Sequence, residues 1–490
     1  MSVKKNTIYN LLGAALSLGL TFFLTPIYLR LIGEARYGVL AVAWLLLGYF
    51  GLFDLGLGRA TAQRIASTVG SASSTQRALI FWTAFGMNCS LGALGGLIIW
   101  PLATYFFGNF FNVDIALQPE LFAAIPWLIL AVPLATLSGV LTGALQGRAQ
   151  FLELNIIAVF GSALAQLLPF IVVWMHGPDL GWILFAVILS RLVTLALLFS
   201  RCSVHVFHGQ APIFSRTLAR DLLRFGGWVT VTSLVGPMMV LFDRFVIGAT
   251  LGAKAVTHYT VPFQLAESST LLPSALTTAI FPRLVAADAS EARQLAKIAI
   301  RSLAVLMTPL TLLGVLLVEP FLRWWLSAEF ALNAGLSAQI LLLGFWFNAF
   351  AGIPYALLQA AGRPDIVARC HLGELFPYLF LLYIGLHFWG LPGAAVVFGL
   401  RTFVDCALLM WFAGIFQSGA KALKTPIALL LTGLATTIGL PVDKTAGLLA
   451  AFGLLSFALV WSWRTAPHEI RDLFTRMINR SSSDGRDGLQ

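Results

Sequence analysis

Long apolar stretches, each able to cross a lipid bilayer as a helix, recur along the whole chain. A transmembrane helix needs roughly 20 apolar residues. Fourteen apolar segments are centred near residues 19, 48, 90, 131, 163, 190, 238, 268, 306, 347, 377, 404, 433 and 454, and the thirteenth is short. The runs are continuous and do not alternate with period two, which favours helices over barrel strands. The chain is therefore expected to be an all-α, polytopic membrane protein with about 14 transmembrane helices.

Composition excludes several other classes of protein. Residues are 59% hydrophobic and 11% charged, whereas globular domains carry about 25% charge. The four cysteines are scattered without a CxxC pair, so neither a disulfide framework nor a metal site is expected. The chain has no GxxxxGK[ST] motif and no Ser/His/Asp arrangement. We therefore expect a protein without cofactors that is not an enzyme.

The distribution of positive charge predicts the orientation in the membrane. The net charge of +10 would suggest nucleic acid in a soluble protein. Here most of the 31 Lys and Arg fall in alternate loops and in the two tails, so the positive-inside rule explains the excess and no nucleic-acid partner is expected. The first apolar run lacks a small-residue cleavage site and is interpreted as the first span. Both termini are thus predicted to be cytoplasmic.

An internal repeat is predicted from landmarks at a nearly constant spacing. Matching residues lie 210 to 219 positions apart, namely Gly33 with Gly252, Arg64 with Arg283, Arg148 with Arg363 and Arg191 with Arg401. Six spans in each half give two six-helix bundles of the same topology, an arrangement seen in transporters. The sequence therefore predicts parallel repeats around a central cavity, followed by two C-terminal helices.

The predicted domains follow from this repeat. They are an N-terminal six-helix bundle at 1–205, a cytoplasmic linker at 206–221, a C-terminal six-helix bundle at 222–418, two extra transmembrane helices at 419–466, and a cytoplasmic amphipathic segment with a disordered tail at 467–490. Arg216, Arg220 and Arg224 recur every fourth residue beside apolar residues. This stretch and the tail lie on the anionic inner leaflet or are ordinary solvated helix ends, and the sequence leaves both interpretations open.

Two charged residues interrupt the apolar run from Gly226 to Thr250, namely Asp243 and Arg244. A charge at the centre of a membrane helix costs about 2.5 to 3.5 kcal/mol on insertion scales. Two in one helix therefore need a reason. One interpretation is a polar pathway through the protein; the other is a neutralised ion pair that locks helices together.

Other charged residues within the predicted spans indicate a binding site between the two halves. If the repeat holds, Asp54 and Arg59 in the second span face Asp243, Arg244 and Glu267 across the axis between the halves. Arginine suits phosphate groups, and acidic groups in the membrane bind protons or metal cations. We therefore take Asp54, Asp243 and Glu267 as candidates for coupling to a proton or a sodium ion.

Four further intramembrane charges, Arg191, Glu374, Arg401 and Asp405, have no assigned role. Arg401 and Asp405 are four residues apart, so they share a helix face and can neutralise each other. A structural role is favoured for Arg191 and Arg401, as snorkelling side chains or as pins between helices.

Several motifs resemble the polysaccharide exporters of the multidrug/oligosaccharidyl-lipid/polysaccharide (MOP) flippase superfamily, with Wzx-type O-antigen flippases as the nearest type. The resemblance covers most of residues 6–416, and the order and spacing of the motifs carry it. They are NLLGAALSLGLTFFLTPIYLRLIGEARYGVLAVA from Asn10, FGLFDLGLGRATAQRIA from Phe50, LQGRAQF at 145–151, FDRFVIGATLGAKAVTHYTVP at 242–262, FPRLVA at 281–286 and LLQAAGRPD at 357–365.

This resemblance implies a function and a set of binding residues. It implies transfer of an undecaprenyl-diphosphate-linked oligosaccharide from the inner to the outer leaflet of the bacterial inner membrane by alternating access. Carried over to matching positions, substrate binding falls to Arg30, Arg59 and Arg244, with Asp54 and Asp243 beside them. The implied partners are the lipid-linked oligosaccharide, membrane lipids and other membrane proteins of polysaccharide assembly.

Two competing functions remain open at this point. A cation or drug antiporter of the same superfamily would have a mostly acidic cavity, and Arg59 and Arg244 argue against it. A membrane polysaccharide polymerase or ligase would need a large outer loop for its chemistry. The longest candidate, about 318–336, is too small for that.

Overall fold

A computed structural model describes residues 3–49, 54–68, 74–440 and 445–467, of which 3–17, 47, 49 and 224–241 are described by their backbone alone. The described residues form helices joined by short turns, and none of them lies in a strand. The helices are α1 (Val3–Tyr49), α2 (Leu57–Ser67), α3 (Ser74–Asn109), α4 (Gln118–Gly147), α5 (Phe151–His176), α6 (Leu180–Cys202), α7 (Arg216–Leu251), α8 (Ala253–Ser268), α9 (Leu271–Ala286), α10 (Ala289–Trp325), α11 (Ala328–Ala360), α12 (Pro364–Phe412), α13 (Phe416–Gly439) and α14 (Thr445–Thr465).

Within the described residues, ten helices are long and apolar enough to cross a membrane. The all-helical, multi-pass fold class is therefore confirmed. Two of the helices are too long for one crossing: the 49 residues of α12 would reach about 73 Å as a straight helix, against a hydrocarbon core of about 30 Å. The chain instead reverses inside α12 at Gly390 and inside α1 at Gly33, where φ is positive. The count of 14 spans stays a prediction.

The reversals recur at matching positions of the two predicted halves. Gly33 and Gly252 have similar φ/ψ of 78/163° and 88/174°, and each lies where one helical segment ends and the next begins. Gly177 and Gly390 form a second such pair, with φ of 86° and 60°. Such backbone geometry favours glycine because it has no Cβ. The turns predicted at Gly33 and Gly252 are therefore present, with similar backbone geometry.

The end of α4 and the end of α11 repeat one hydrogen-bond pattern with an offset of 213 residues. Gln150 N donates to Leu145 O, and Arg363 N donates to Leu358 O. This offset aligns Arg148 with Ala361. The predicted match of Arg148 with Arg363 has an offset of 215 residues, two more than the offset of this backbone pattern.

The chain divides into two compact units, Met1–Thr257 and His258–Gln490. The core of the first unit is built around Phe81, whose ring packs 4.8 Å from that of Phe207. The core of the second unit is built around Trp346 and Phe350, whose rings are 4.7 Å apart. The predicted domain boundaries at 205, 221, 418 and 466 stay predictions, and residues 468–490 lie outside the described part of the chain.

The basic stretch at the start of α7 is anchored to the first unit. Ser215 caps the helix, Leu222 is buried in the core and Leu218 packs against it. Asp221 forms an exposed ion pair with Arg64 of α2 at 3.1 Å. Leu218 and Leu222 thus contact protein, whereas Phe214 just before the helix is exposed, and contact of this stretch with the leaflet stays a prediction. The third arginine of the stretch, Arg224, has no described side chain.

Candidate functional site

Asp243 and Arg244 lie in the last third of α7 and are almost wholly buried, with 1% and 2% of their surfaces exposed. Arg244 Nη1 lies 3.4 Å from Asp243 Oδ2, so the two neighbours form a mutual ion pair. Burial of two charges is tolerated where they are paired, because each offsets the desolvation cost of the other. The pair has no net charge in this conformation, and a substrate phosphate would bind Arg244 only if the pair opened.

The segment around this pair is held against the end of α3. Phe245 packs edge-on against Phe106 with ring centroids 4.8 Å apart, and Asn112 N donates to Gly248 O at 3.1 Å. A Cβ on Gly248 would overlap the Phe111 ring, so only glycine allows this approach. The position of Arg244 is therefore determined by tight packing one turn away.

The turn after α7 is tied to the second half of α1. Ala253 N donates to Asn112 O at 3.1 Å, and Thr257 Oγ1 donates to Glu34 O at 2.6 Å. Lys254 forms an ion pair with the Glu34 carboxylate at 3.4 Å. These contacts connect the two helix reversals at Gly33 and Gly252 within the first unit.

Asp54 lies where the second predicted span is interrupted, just before α2. Leu55 and Gly56 both have positive φ, at 48° and 69°. The Asp54 carboxylate accepts hydrogen bonds from Gly56 N at 2.7 Å and Gly58 N at 3.2 Å. An anion at this place is stabilised by the free N–H groups and positive dipole end of a helix. Both carboxylate oxygens thus accept hydrogen bonds from the neighbouring backbone.

Glycines let α2 and α4 approach each other closely around Asp54. A Cβ on Gly139 would lie 2.6 Å from Asp54 Oδ2, and a Cβ on Gly143 would overlap the Gly58 carbonyl. The carboxylate is therefore enclosed between two helices, half-buried, at the point where their backbones almost touch.

Arg30 and Arg59 are both exposed in the first unit. Neither forms a salt bridge with a described residue. Arg30 precedes the Gly33 reversal by one turn, and Arg59 lies in the first turn of α2. They are thus predicted binding residues whose charge is available to an anion without breaking an existing ion pair.

Glu267 belongs to the second unit, where it is exposed near the end of α8. Its carbonyl accepts hydrogen bonds from Thr270 N at 2.9 Å and Thr270 Oγ1 at 2.7 Å, at the interruption between α8 and α9. The interruptions beside Asp54 and Glu267 therefore fall in the second span of each predicted half. The predicted juxtaposition of these two residues stays a prediction.

Two sets of polar contacts between helices were not predicted from the sequence, because spacing within one segment does not indicate contacts with another. Arg36 donates two hydrogen bonds to Glu120 of α4, at 2.6 and 2.9 Å, and Glu120 also accepts from Leu180 N at the start of α6. This bidentate pair fastens α1, α4 and α6 together. Nothing in the spacing of Arg36 and Glu120 indicates their contact.

Gln166 of α5 is the centre of the second connection. It contacts Thr21 Oγ1 through its side-chain oxygen at 3.0 Å, and its carbonyl accepts from Tyr28 Oη at 2.7 Å. An amide in the middle of an apolar run is a signal that sequence inspection for polar as well as charged residues would have found.

Among the described residues, no group of three His, Cys, Asp or Glu side chains is arranged to hold a metal ion.

Comparison with known sequences relates the chain to proteins of glycan export. The family described as polysaccharide biosynthesis protein matches residues 3–287. A "Putative O-antigen transporter" of Shigella flexneri is 29% identical over 422 residues, covering 84% of this chain and 97% of that protein. A "Probable low-salt glycan biosynthesis flippase Agl15" of Haloferax volcanii is 24% identical over 423 residues, covering 84% of this chain and 82% of that one.

Comparison with solved structures identifies the fold. The lipid II flippase MurJ in an inward closed conformation matches with a TM-score of 0.68 and 12% identity, covering 94% of this chain and 98% of MurJ. An inward-facing multidrug resistance transporter of the MATE family and MOP superfamily also matches with a TM-score of 0.68, at 16% identity, covering 87% of this chain and 96% of that one. The chain therefore has a MATE- and MurJ-like fold.

Proposed function

Since this chain belongs to the polysaccharide biosynthesis protein family, we propose that it carries a lipid-linked oligosaccharide across the bacterial inner membrane. It is a multi-pass membrane transporter and not an enzyme. The cargo is an undecaprenyl-diphosphate-linked repeat unit of O-antigen or exopolysaccharide, moved from the cytoplasmic to the outer leaflet by alternating access. The observation that carries the proposal is the match to the Shigella transporter over nearly its whole length.

The charges of the first unit support a phosphate-bearing cargo. Arg30 and Arg59 are exposed cations without a salt bridge to a described residue. Guanidinium groups bind diphosphate through charge-assisted, often bidentate hydrogen bonds. Arg244 is a third contact in this proposal, made only in a state where its pair with Asp243 opens. Asp54 and Asp243 lie beside these arginines along the chain.

Coupling to a proton or a sodium ion is a separate part of the proposal. It assigns the ion to Asp54, Asp243 or Glu267, of which Glu267 alone is exposed in this conformation. Carboxylates within membrane proteins commonly serve as such sites. Membrane lipids and other proteins of polysaccharide assembly are further proposed partners.

The proposed binding residues are tested by the Arg30→Ala, Arg59→Ala double variant. We expect surface polysaccharide to be lost in cells that depend on this gene, while the amount and monodispersity of the purified protein stay unchanged. Arg323→Ala is the matched control, because Arg323 is equally exposed but pairs with Glu319 in the second unit. Normal polysaccharide export by the double variant would remove Arg30 and Arg59 from the site.

A second candidate function is a cation or drug antiporter, since the MATE transporter shares the fold with the same TM-score as MurJ. Overexpression would then raise the resistance of a drug-sensitive strain and would not restore surface polysaccharide in a strain lacking this gene. The exposed arginines favour an anionic cargo and hence the flippase.

A further inference from the structure

The two halves of α12 fold back on each other in the second unit and enclose a groove of about 810 Å³ between them. His371 lies 3.3 Å from Asp405, and the Arg401 guanidinium lies 5.3 Å from the centre of the Tyr378 ring, so the halves are in contact along their length. The open side of the groove is apolar and exposed, formed by Leu400, Val404, Leu408 and Phe412. A groove of this kind suits a hydrocarbon chain.

A second, polar pocket of about 400 Å³ continues the groove at the end where α12 begins. The two share Arg363, Ile366 and Phe412 as lining residues. The pocket adds Arg293 from the first turns of α10, so two guanidinium groups border it. A chain-shaped apolar slot that opens into a pocket with two arginines matches the two ends of an anionic amphiphile.

The mouth is lined by arginines, whereas the neighbouring carboxylates lie outside the lining. Asp365 pairs with Arg363 at 3.1 Å and with Arg369 at 3.8 Å. Asp288, near Arg293, is used as the N-cap of α10 and accepts from Ser290 N and Glu291 N. Arg293, Arg363 and Arg369 line the two pockets, and Asp288, Glu291 and Asp365 do not. Exposed ion pairs of this kind contribute little, so a phosphate can compete for the guanidinium groups.

The middle of the groove carries carboxylates as well as an arginine. Glu374 lines its middle and is 8% exposed, and neither of its carboxylate oxygens accepts a hydrogen bond from a described residue. Asp405 lies beside it on the facing half of α12, next to His371. Arg401 lines the same part of the groove and offsets one of these carboxylates, so the excess of arginine lies at the mouth, where a phosphate is favoured.

We propose that this groove binds one anionic phospholipid of the surrounding membrane, with its phosphate between Arg293 and Arg363 and an acyl chain along α12. Basic pockets between transmembrane helices recognise anionic headgroups in this way. From Arg363 to Leu381 the lining helix extends about 27 Å, which is enough for an acyl chain reaching the bilayer midplane, about 15 Å. The volume of the groove lies in the range of sites for a single small ligand, roughly 300 to 1,000 Å³.

This site lies within the second unit and does not depend on what the protein transports. It is tested by native mass spectrometry of the purified full-length protein, titrated with phosphatidylglycerol or phosphatidylcholine. We expect the first phosphatidylglycerol to bind at least about tenfold more tightly than phosphatidylcholine, and Arg293→Ala with Arg363→Ala to remove that preference. The control is Arg216→Ala with Arg220→Ala, which removes the same amount of charge outside both pockets. It should leave the preference for phosphatidylglycerol unchanged.

A second pair of variants tests the apolar slot without altering charge. Val404→Trp fills the groove and should lower the affinity for the first phosphatidylglycerol by about tenfold or more. Val396→Trp places the same side chain on the same helix outside the lining and should leave this affinity unchanged. Asp365→Asn should strengthen binding by freeing Arg363.

Several results would overturn the proposal. Equal affinity in the lining and control variants would show that anionic lipid binds non-specifically. Displacement of phosphatidylglycerol by inorganic phosphate at similar concentration would show a phosphate site without a lipid slot. Displacement by polyprenyl phosphate at far lower concentration would identify the transported lipid as the occupant.

Discussion

At the scale of single residues, the charges predicted to form one site have different surroundings in the structure. Asp54 accepts hydrogen bonds from the backbone at the start of α2, and Asp243 forms an ion pair with Arg244. Arg30 and Arg59 are exposed. A charge already used in an internal contact affects stability when it is removed, whereas an exposed one affects binding alone. Substitutions can therefore separate these roles.

Substitution of the Asp243–Arg244 pair can distinguish a role in transport from a purely structural role. Arg244→Ala removes the ion-pair partner of the buried Asp243 carboxylate and should lower the midpoint of thermal unfolding. The double replacement Asp243→Leu, Arg244→Met removes both charges and should regain most of that stability, as measured by thermal unfolding in detergent. If the double variant also exports polysaccharide normally, the pair has a structural role within α7 only. If it is stable but inactive, the pair belongs to the transport site.

Asp54 is expected to contribute to stability as well as to function. Asp54→Ala deletes two hydrogen bonds to the start of α2, and loss of such a cap costs about 0.5 to 2 kcal/mol. A lowered midpoint of thermal unfolding would show this, with Arg59→Ala as the neighbouring control that should leave the midpoint unchanged. An unchanged midpoint in Asp54→Ala would contradict the capping role.

At the scale of elements, close backbone contacts position the helices that carry the site. Gly143→Ala would drive a Cβ into the Gly58 carbonyl and should separate α2 from α4, at a cost of about 1 to 3 kcal/mol for overpacking. Gly19→Ala is the control, because nothing lies within 4 Å of a Cβ built there. Thermal unfolding of both variants checks the prediction; equal midpoints would mean that the two helices separate at no cost.

Helix boundaries show where sequence patterns suffice and where they do not. The reversals at Gly33 and Gly252 were predictable, because glycine between two apolar runs marks a turn that needs positive φ. The interruption at Leu55 was less predictable, since leucine rarely adopts a φ of 48° and only the capping by Asp54 and the contact with α4 explain it. The offset of 213 residues between the turns after α4 and α11 is likewise visible only in the backbone hydrogen bonds, because side-chain identity does not fix the register of a turn.

At the scale of the whole molecule, the proposed orientation has a direct test. The excess of Lys and Arg in alternate loops predicts that the C-terminus is cytoplasmic. A C-terminal fusion to green fluorescent protein should fluoresce, and a fusion of alkaline phosphatase at the same residue should be inactive. The opposite pair of results would invert the proposed direction of transport.

Ion coupling also belongs to this scale, because it concerns the exchange between conformations. In membrane vesicles, collapse of the proton gradient or the sodium gradient by an ionophore should slow transfer of the lipid-linked oligosaccharide. Glu267→Gln should reduce the dependence on the coupled ion. Transfer that is indifferent to both gradients would remove the coupling proposal and leave downhill flow of the cargo as the driving force.

The amino-acid sequence by itself determined that this protein is an all-helical, multi-pass membrane transporter. In lipid every backbone polar group must be satisfied within its own segment, so the length and apolarity of each segment decide its structure locally. Only the tertiary structure decided which charges are neutralised and which are available. Arg36 meets Glu120 across 84 positions and His371 meets Asp405 across a reversal, and such contacts depend on how helices are rotated and crossed, which local patterns do not specify.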